Sequence, residues 1–275
     1  MLRQPNRSLC RRWIGVVLLL IFGGMAVYLA GNLFCPREPE EDAIPNDVFA
    51  VQGREDDGTV EAIMLKIVCL TFDDGPSSNT GPILDILQEK DVPATFFVTA
   101  QEVNQDYLPE LERVVEEGHQ VALHSASHRY SEIYADTESF WLDIKALRQA
   151  ISPYVDVEAI HWLRFPGGST NTISHKYGGS DIMKRLVAQC GEKGYEWIDW
   201  NVSAEDATSS HPDAGQILEN IRASAEGRDL CVVLMHDTAK TDATVEALPE
   251  IIDWFAAQGY HFCTVEQMYE ARDGG

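Results

Sequence analysis

Between residues 66 and 265 the chain alternates short apolar, β-branched runs with segments whose apolar residues recur at helical spacing. No other feature constrains the fold as strongly. Strand, helix, strand, repeated, builds a parallel sheet with helices packed outside it. The spacing predicts strands at 66–72, 94–98, 119–123, 160–165, 195–200, 230–235 and 261–265. It predicts helices at 79–90, 106–117, 138–151, 181–193, 212–225 and 244–257, two of them stopped by Gly118 and Gly194.

At 275 residues there is room for one large domain and a terminal appendage. A hydrophobic content of 45% is enough for a core, which excludes a disordered chain. A net charge of −23 argues against nucleic-acid binding, which needs a basic footprint. The first segment differs from the rest: Arg3, Arg7, Arg11 and Arg12 precede 22 uncharged residues, 13–34. That is long enough to cross a bilayer as a helix, and the basic flank belongs on the cytoplasmic side. We therefore expect a cytoplasmic basic tail at 1–12, a transmembrane anchor at 13–34, an acidic flexible linker at 35–62, and a folded body outside the membrane at 63–275. A cleaved signal sequence is the alternative for 13–34, leaving a secreted body. Between 36 and 62 there are nine acidic and two basic residues, hence the linker. The six cysteines form no Cys-x-x-Cys pair, and Cys69, Cys190, Cys231 and Cys263 read as small core residues.

Five polar clusters stand at the ends of the strand-like runs: Thr71-Phe72-Asp73-Asp74-Gly75-Pro76, His124-Ser125-Ala126-Ser127-His128, Arg164-Phe165-Pro166-Gly167-Gly168, Asp199-Trp200 and Leu234-Met235-His236-Asp237. Each has a plain structural reading: Asp, Gly and Pro are ordinary turn residues, and an Arg at a strand end is usually a salt bridge. Their shared position is harder to dismiss, because the C-terminal edge of a parallel barrel is where active sites are built. His124-x-x-x-His128 puts two imidazoles within reach of one ion, and a nearby Asp completes a facial set with open positions. Adjacent carboxylates diverge, so one of Asp73 and Asp74 can ligate while the other faces substrate. A His followed by an Asp, as in His236-Asp237, suits proton transfer. These are the parts of a metal-assisted hydrolase that cleaves an amide or ester.

The ordered set TFDDGP, HSASH, RFPGG, DW and LMH resembles the polysaccharide deacetylases with a NodB homology domain, carbohydrate esterase family four. The resemblance runs from about residue 67 to 265. It implies an α/β fold, a distorted (β/α) barrel of about seven parallel strands, as the catalytic domain. It implies a divalent metal, Zn2+ above all with Co2+ or another divalent ion as alternatives, held by Asp74, His124 and His128. Asp73 would be the general base, held by Arg164. His236 would be the general acid, oriented by Asp199. The Gly167 N–H would stabilise the oxyanion, and Trp200 and Leu234 would enclose the acetyl methyl. Many members carry an aromatic where Gly167 stands, so one wall of the groove is missing. The implied substrate is an extracellular N-acetylated glycan, peptidoglycan GlcNAc first, then chitin or poly-GlcNAc, or acetylxylan by ester cleavage. A catalytically silent glycan-binding protein is the reading from another class.

Overall fold

The computed structural model describes residues 49–54 and 60–273. The elements in chain order are β1 (Phe49–Arg54), β2 (Val60–Asp73), α1 (Thr80–Lys90), β3 (Thr95–Thr99), α2 (Glu110–Glu116), β4 (Gln120–Ser125), α3 (Tyr130–Ile133), α4 (Thr137–Ile151), β5 (Trp162–Leu163), α5 (His175–Gly178), α6 (Ile182–Glu192), β6 (Glu196–Trp197), β7 (Val202–Ser203), α7 (Ala214–Ala225), β8 (Leu230–His236), α8 (Asp242–Ala257), β9 (Tyr260–Phe262) and α9 (Val265–Asp273). Seven parallel strands run in the order β6-β5-β4-β3-β2-β8-β7, an open half-barrel, with β9 parallel to the middle of β2 at Lys66–Val68.

The central strands of this sheet are buried on both faces, so they read as nearly continuous apolar runs; all five residues of β3 are buried, as are the first six of β8. One face meets the helices: Val68, Leu70, Phe72, Phe96 and Val98 pack with Ile83, Leu87, Phe140 and Leu248. The other face fills the inside of the half-barrel with Ile67, Cys69, Phe97, Ala122, Trp162, Leu230 and Val232. Val265 and Met268 of α9 join this inner cluster. Side chains alternate faces along a strand. The inner series Cys69-Thr71-Asp73, Ala122-His124, Trp162-Arg164 and Val232-Leu234-His236 therefore changes from apolar to chemically active as each strand reaches its C-terminal edge.

Three departures from the sequence expectations have simple causes. The helix expected at 106–117 begins only at Glu110, after a 3-10 turn over Glu102–Tyr107, because Pro109 lacks an N–H and suits a helix start. Part of the tract 35–62, expected as a flexible linker, is β-structure: β1 pairs antiparallel with the first half of β2, from Phe49↔Leu65 to Arg54↔Val60. The acidic count hid two stretches rich in β-forming residues. A final helix, α9, follows β9, beyond the last expected strand. The expected tail (1–12) and membrane-spanning segment (13–34) lie outside the described residues, as does 35–48 of the expected linker. Among the described residues no helix is long and apolar enough to cross a membrane. Cys69, Cys190, Cys231 and Cys263 are free thiols, the first three buried.

Candidate active site

Register brings the first and last clusters together. β2 and β8 pair in parallel with Asp73 opposite His236 and Thr71 opposite Leu234, so Asp73 and His236 emerge side by side on the inner face. On the other side of β2, the β3–β4 register slips one residue at His124, since Val98 pairs with Leu123 but Thr99 with Ser125. A slip of this kind re-aims a side chain and is common beside active sites.

Asp74, His124 and His128 each present a ligand atom, all within 4.8 Å of one another. Asp74 Oδ1 lies 3.3 Å from His128 Nε2 and 3.7 Å from His124 Nε2. His124 Nδ1 lies 2.7 Å from the Arg164 carbonyl, which can only accept, so that nitrogen carries the proton and Nε2 is left with its lone pair toward the carboxylates. Burial, reinforced by His128, pushes His124 down to about 3, so it is neutral at any physiological pH. Asp74 Oδ1 is buried with no hydrogen-bond partner, a costly state for a carboxylate oxygen unless a cation meets it. Two imidazoles and one orphaned carboxylate oxygen are a donor set that fits a divalent cation such as zinc.

Two of these three residues have left-handed backbone, Asp74 at φ 73° and His128 at φ 51°. Such conformations persist when the surroundings over-determine them. The Asp74 carbonyl accepts from Thr99 Oγ1 and Asn104 Nδ2, both at 2.9 Å. The loop carrying His128 is held by Asp143 of α4, whose carboxylate accepts from Ser125 Oγ at 2.6 Å, Ala126 N at 2.8 Å and Ser127 N at 2.9 Å. Asp143 was missed in the sequence, since one Asp on a polar helix face carries no signal of its partner loop. Asp143→Ala should weaken zinc binding about 10- to 100-fold, the usual cost of losing a group that orients metal ligands. Zinc titration against a competing chelator measures it.

Arg164 is fully buried. Its Nη1 donates to Asp73 Oδ1 and to Thr71 Oγ1, both at 2.8 Å. Its Nε donates to the Ile198 carbonyl at 3.2 Å and its Nη2 to the Asp199 carbonyl at 3.1 Å, and the guanidinium stacks over Phe97 at 4.0 Å. Asp73 Oδ1 is thus occupied, while Oδ2 faces His124 Nε2 at 3.8 Å. Burial raises the Asp73 carboxyl above its ordinary value, and the positive charges of Arg164 and His236 oppose that rise.

The carboxylate on His236 is Asp206, not Asp199. Asp206 Oδ1 lies 2.8 Å from His236 Nδ1, and its Oδ2 accepts from His236 N and Thr244 Oγ1, each at 2.8 Å. The reason is topological. β7 pairs with β8, Ser203 opposite Leu234, so the turn after β7 delivers Asp206 to His236. Asp199 follows β6 and turns the other way, accepting from Ser169 N at 2.9 Å and Ser169 Oγ at 2.5 Å. It holds the turn after Arg164. Asp237 does not serve His236 either. As the next residue it faces away, and its carboxylate accepts from Ser77 Oγ and Thr80 Oγ1 at 2.6 Å each. It braces the loop after Asp74, where a Cβ on Gly75 would overlap it. Burial opposes a charged His236, but the hydrogen bond and charge of Asp206, with Asp73 and Asp74 nearby, raise it to about 9. At neutral pH it is a protonated imidazole, set beside the Asp73 carboxyl that Arg164 holds, an arrangement suited to proton transfer.

The remaining expected residues lie around this pair. Leu234 is buried directly before His236 on the inner face. Trp200 is half-buried, 5.7 Å from the Arg164 guanidinium. Gly167 is exposed, with φ 79°, in a turn closed by Gly168 N donating to the Phe165 carbonyl at 2.8 Å.

A parallel half-barrel that gathers Asp73, Arg164 and His236 beside an Asp-His-His cluster able to hold a cation, all on its C-terminal edge, is arranged as a hydrolase site would be. The polysaccharide deacetylase family matches residues 64–181. The chain is 38% identical to the catalytic domain of a peptidoglycan N-acetylglucosamine deacetylase from Eubacterium rectale, with a TM-score of 0.68 over 73% of this chain and 88% of that one. It is 34% identical to the peptidoglycan-N-acetylglucosamine deacetylase PgdA of Listeria monocytogenes over 74% of this chain. It is 33% identical to a bifunctional xylanase/deacetylase of Pseudobutyrivibrio xylanivorans over 75% of this chain. The match spans 39% of the length of the Listeria protein and 31% of the Pseudobutyrivibrio protein. The chain belongs to the polysaccharide deacetylase family, carbohydrate esterase family four.

Proposed function

We propose that this chain is a zinc-dependent deacetylase that removes N-acetyl groups from GlcNAc residues of peptidoglycan. The observation that carries the reading is the pairing of Asp73 and His236 in adjacent register beside the Asp74, His124 and His128 set. A divalent ion held by those three residues would lower the pKa of water and draw charge from the acyl oxygen. Asp73, its Oδ1 tied to Arg164, takes the proton of the attacking water through Oδ2. The Gly167 N–H stands ready as a donor to the acyl oxygen as it becomes negative. His236, with Nδ1 bound to Asp206, gives a proton from Nε2 to the departing nitrogen. A C–O bond forms, the C–N bond breaks, and acetate and a free amine leave. Leu234 and Trp200 form the apolar side of the acetyl pocket.

The deacetylases from Eubacterium rectale and Listeria support peptidoglycan as substrate. The Pseudobutyrivibrio relative favours acetylxylan as the second reading, in which His236 protonates an alcohol instead of an amine. Chitin-like polymers stand behind these. The basic flank of residues 13–34 supports a body held outside the membrane by that segment. Acetate release from peptidoglycan, GlcNAc oligomers and acetylxylan, compared at equal acetyl content, tests the choice. The expected order has peptidoglycan first. Release from acetylxylan alone would move the activity to ester cleavage.

A further inference from the structure

Tyr130 opens α3 two residues after His128, and its ring meets the His128 ring edge-on, with centroids 5.7 Å apart at 80°. On its other side it packs edge-on against Tyr134, 5.5 Å away. The two tyrosines differ in their hydroxyls. Tyr134 is buried and donates to the Pro166 carbonyl at 2.7 Å, fixing the turn after Arg164. Among the described residues no acceptor meets the Tyr130 hydroxyl, although its ring is half-buried.

That hydroxyl lies against Gly167. A Cβ at Gly167 would come 2.6 Å from Tyr130 Oη and 3.4 Å from Tyr130 Cε1. The phenol therefore occupies the space a side chain at 167 would fill, reaching it from a different loop. The turn it lies on is rigid: Asn171 Nδ2 donates to the Gly168 carbonyl at 2.8 Å, and Asn171 Oδ1 accepts from Ser174 N at 3.0 Å. Gly167 N–H also meets no protein acceptor among the described residues. Two donors without protein partners thus stand together on one rim of the site, next to a candidate cation ligand. A tyrosine hydroxyl enclosed by protein ordinarily finds a partner there; that of Tyr130, on a half-buried residue, stays open to a partner from the ligand side of the site.

We propose that Tyr130 is a substrate-binding residue: its ring walls the site beside His128, and its hydroxyl donates a hydrogen bond to a hydroxyl of the sugar that carries the acetyl group. This rests on the deacetylase reading above. The interaction is with a part of the substrate that does not change charge during reaction. It therefore stabilises ground state and transition state alike, and its loss raises KM without lowering kcat.

The test is Tyr130→Phe in the full chain, which keeps the ring against His128 and removes only the hydroxyl. Tetra-N-acetylchitotetraose is the probe, with steady-state kinetics and calorimetric binding to the zinc-loaded protein as two readouts. The expected result is a rise of about three- to tenfold in both KM and Kd, the scale of one neutral hydrogen bond, with kcat held and zinc affinity unchanged. Tyr130→Ala should raise both further. Unchanged KM and Kd in Tyr130→Phe would overturn the proposal. So would a fall in kcat at unchanged KM, which would make the hydroxyl a transition-state donor. Absence of turnover by the wild type on every acetylated glycan would instead remove the deacetylase reading, and this inference with it.

Discussion

Asp73→Asn is expected to lower kcat by about 10²- to 10⁴-fold, the range a positioned general base supplies, while one equivalent of zinc still binds. The separation of effects follows from the geometry. Asp74, not Asp73, shares the 4.8 Å cluster with both histidines, and Asp73 spends Oδ1 on Arg164. An asparagine keeps an oxygen for Arg164 but has no lone pair basic enough to take a proton from water. Zinc content and acetate release measured on the same preparation decide it. Loss of zinc along with activity would make Asp73 a ligand. Full activity would move the base elsewhere.

Asp206→Asn is the second large effect, and it has a pH signature. His236 must be protonated to give its proton, so turnover falls as pH rises through its pKa. Asp206 is the main cause of the rise to about 9. Without that charge the imidazole returns toward its ordinary 6.5, since only Asp73 and Asp74 then oppose burial. At pH 8 the protonated fraction would drop to ~3%, an expected loss of about 30-fold, shrinking as the pH is lowered toward 6. A bound cation pulls the wild-type and variant values down together, so the displacement of the alkaline limb between them is the quantity to read. Asp199→Asn should leave that limb in place, because Asp199 bonds Ser169 instead. A limb displaced by Asp199→Asn and not by Asp206→Asn would restore the pairing expected from sequence.

That contrast marks where the sequence stops being readable. Asp73, His124, Arg164 and His236 were legible because each ends an apolar run, and strand alternation carries the inner face straight to them. Asp74 and His128 were legible through spacing to those residues. Asp206 was not, because it lies in a polar turn after a two-residue strand, β7, too short to show a period. Asp199-Trp200 stood among the motifs that carried the family resemblance, and the resemblance drew the assignment to it. Asp237 was adjacent in sequence, but adjacency on a strand means opposite faces. Asp143, Asn104 and Tyr130 act across loops, through hydrogen bonds and contacts that sequence spacing does not encode. The alternating pattern likewise foretold the parallel sheet. The pairing of β1 with β2 was hidden, since the acidic residues around it outweighed a short β-forming run.

The most direct measurement is acetate release from peptidoglycan by one preparation assayed as purified, after exhaustive chelation, and after adding back one equivalent of zinc, with metal content determined at each stage. The account predicts that release disappears with the metal and returns with one equivalent. Release that continues undiminished in metal-free protein would contradict it, because Asp74, His124 and His128 would then have no ion to hold in the reaction.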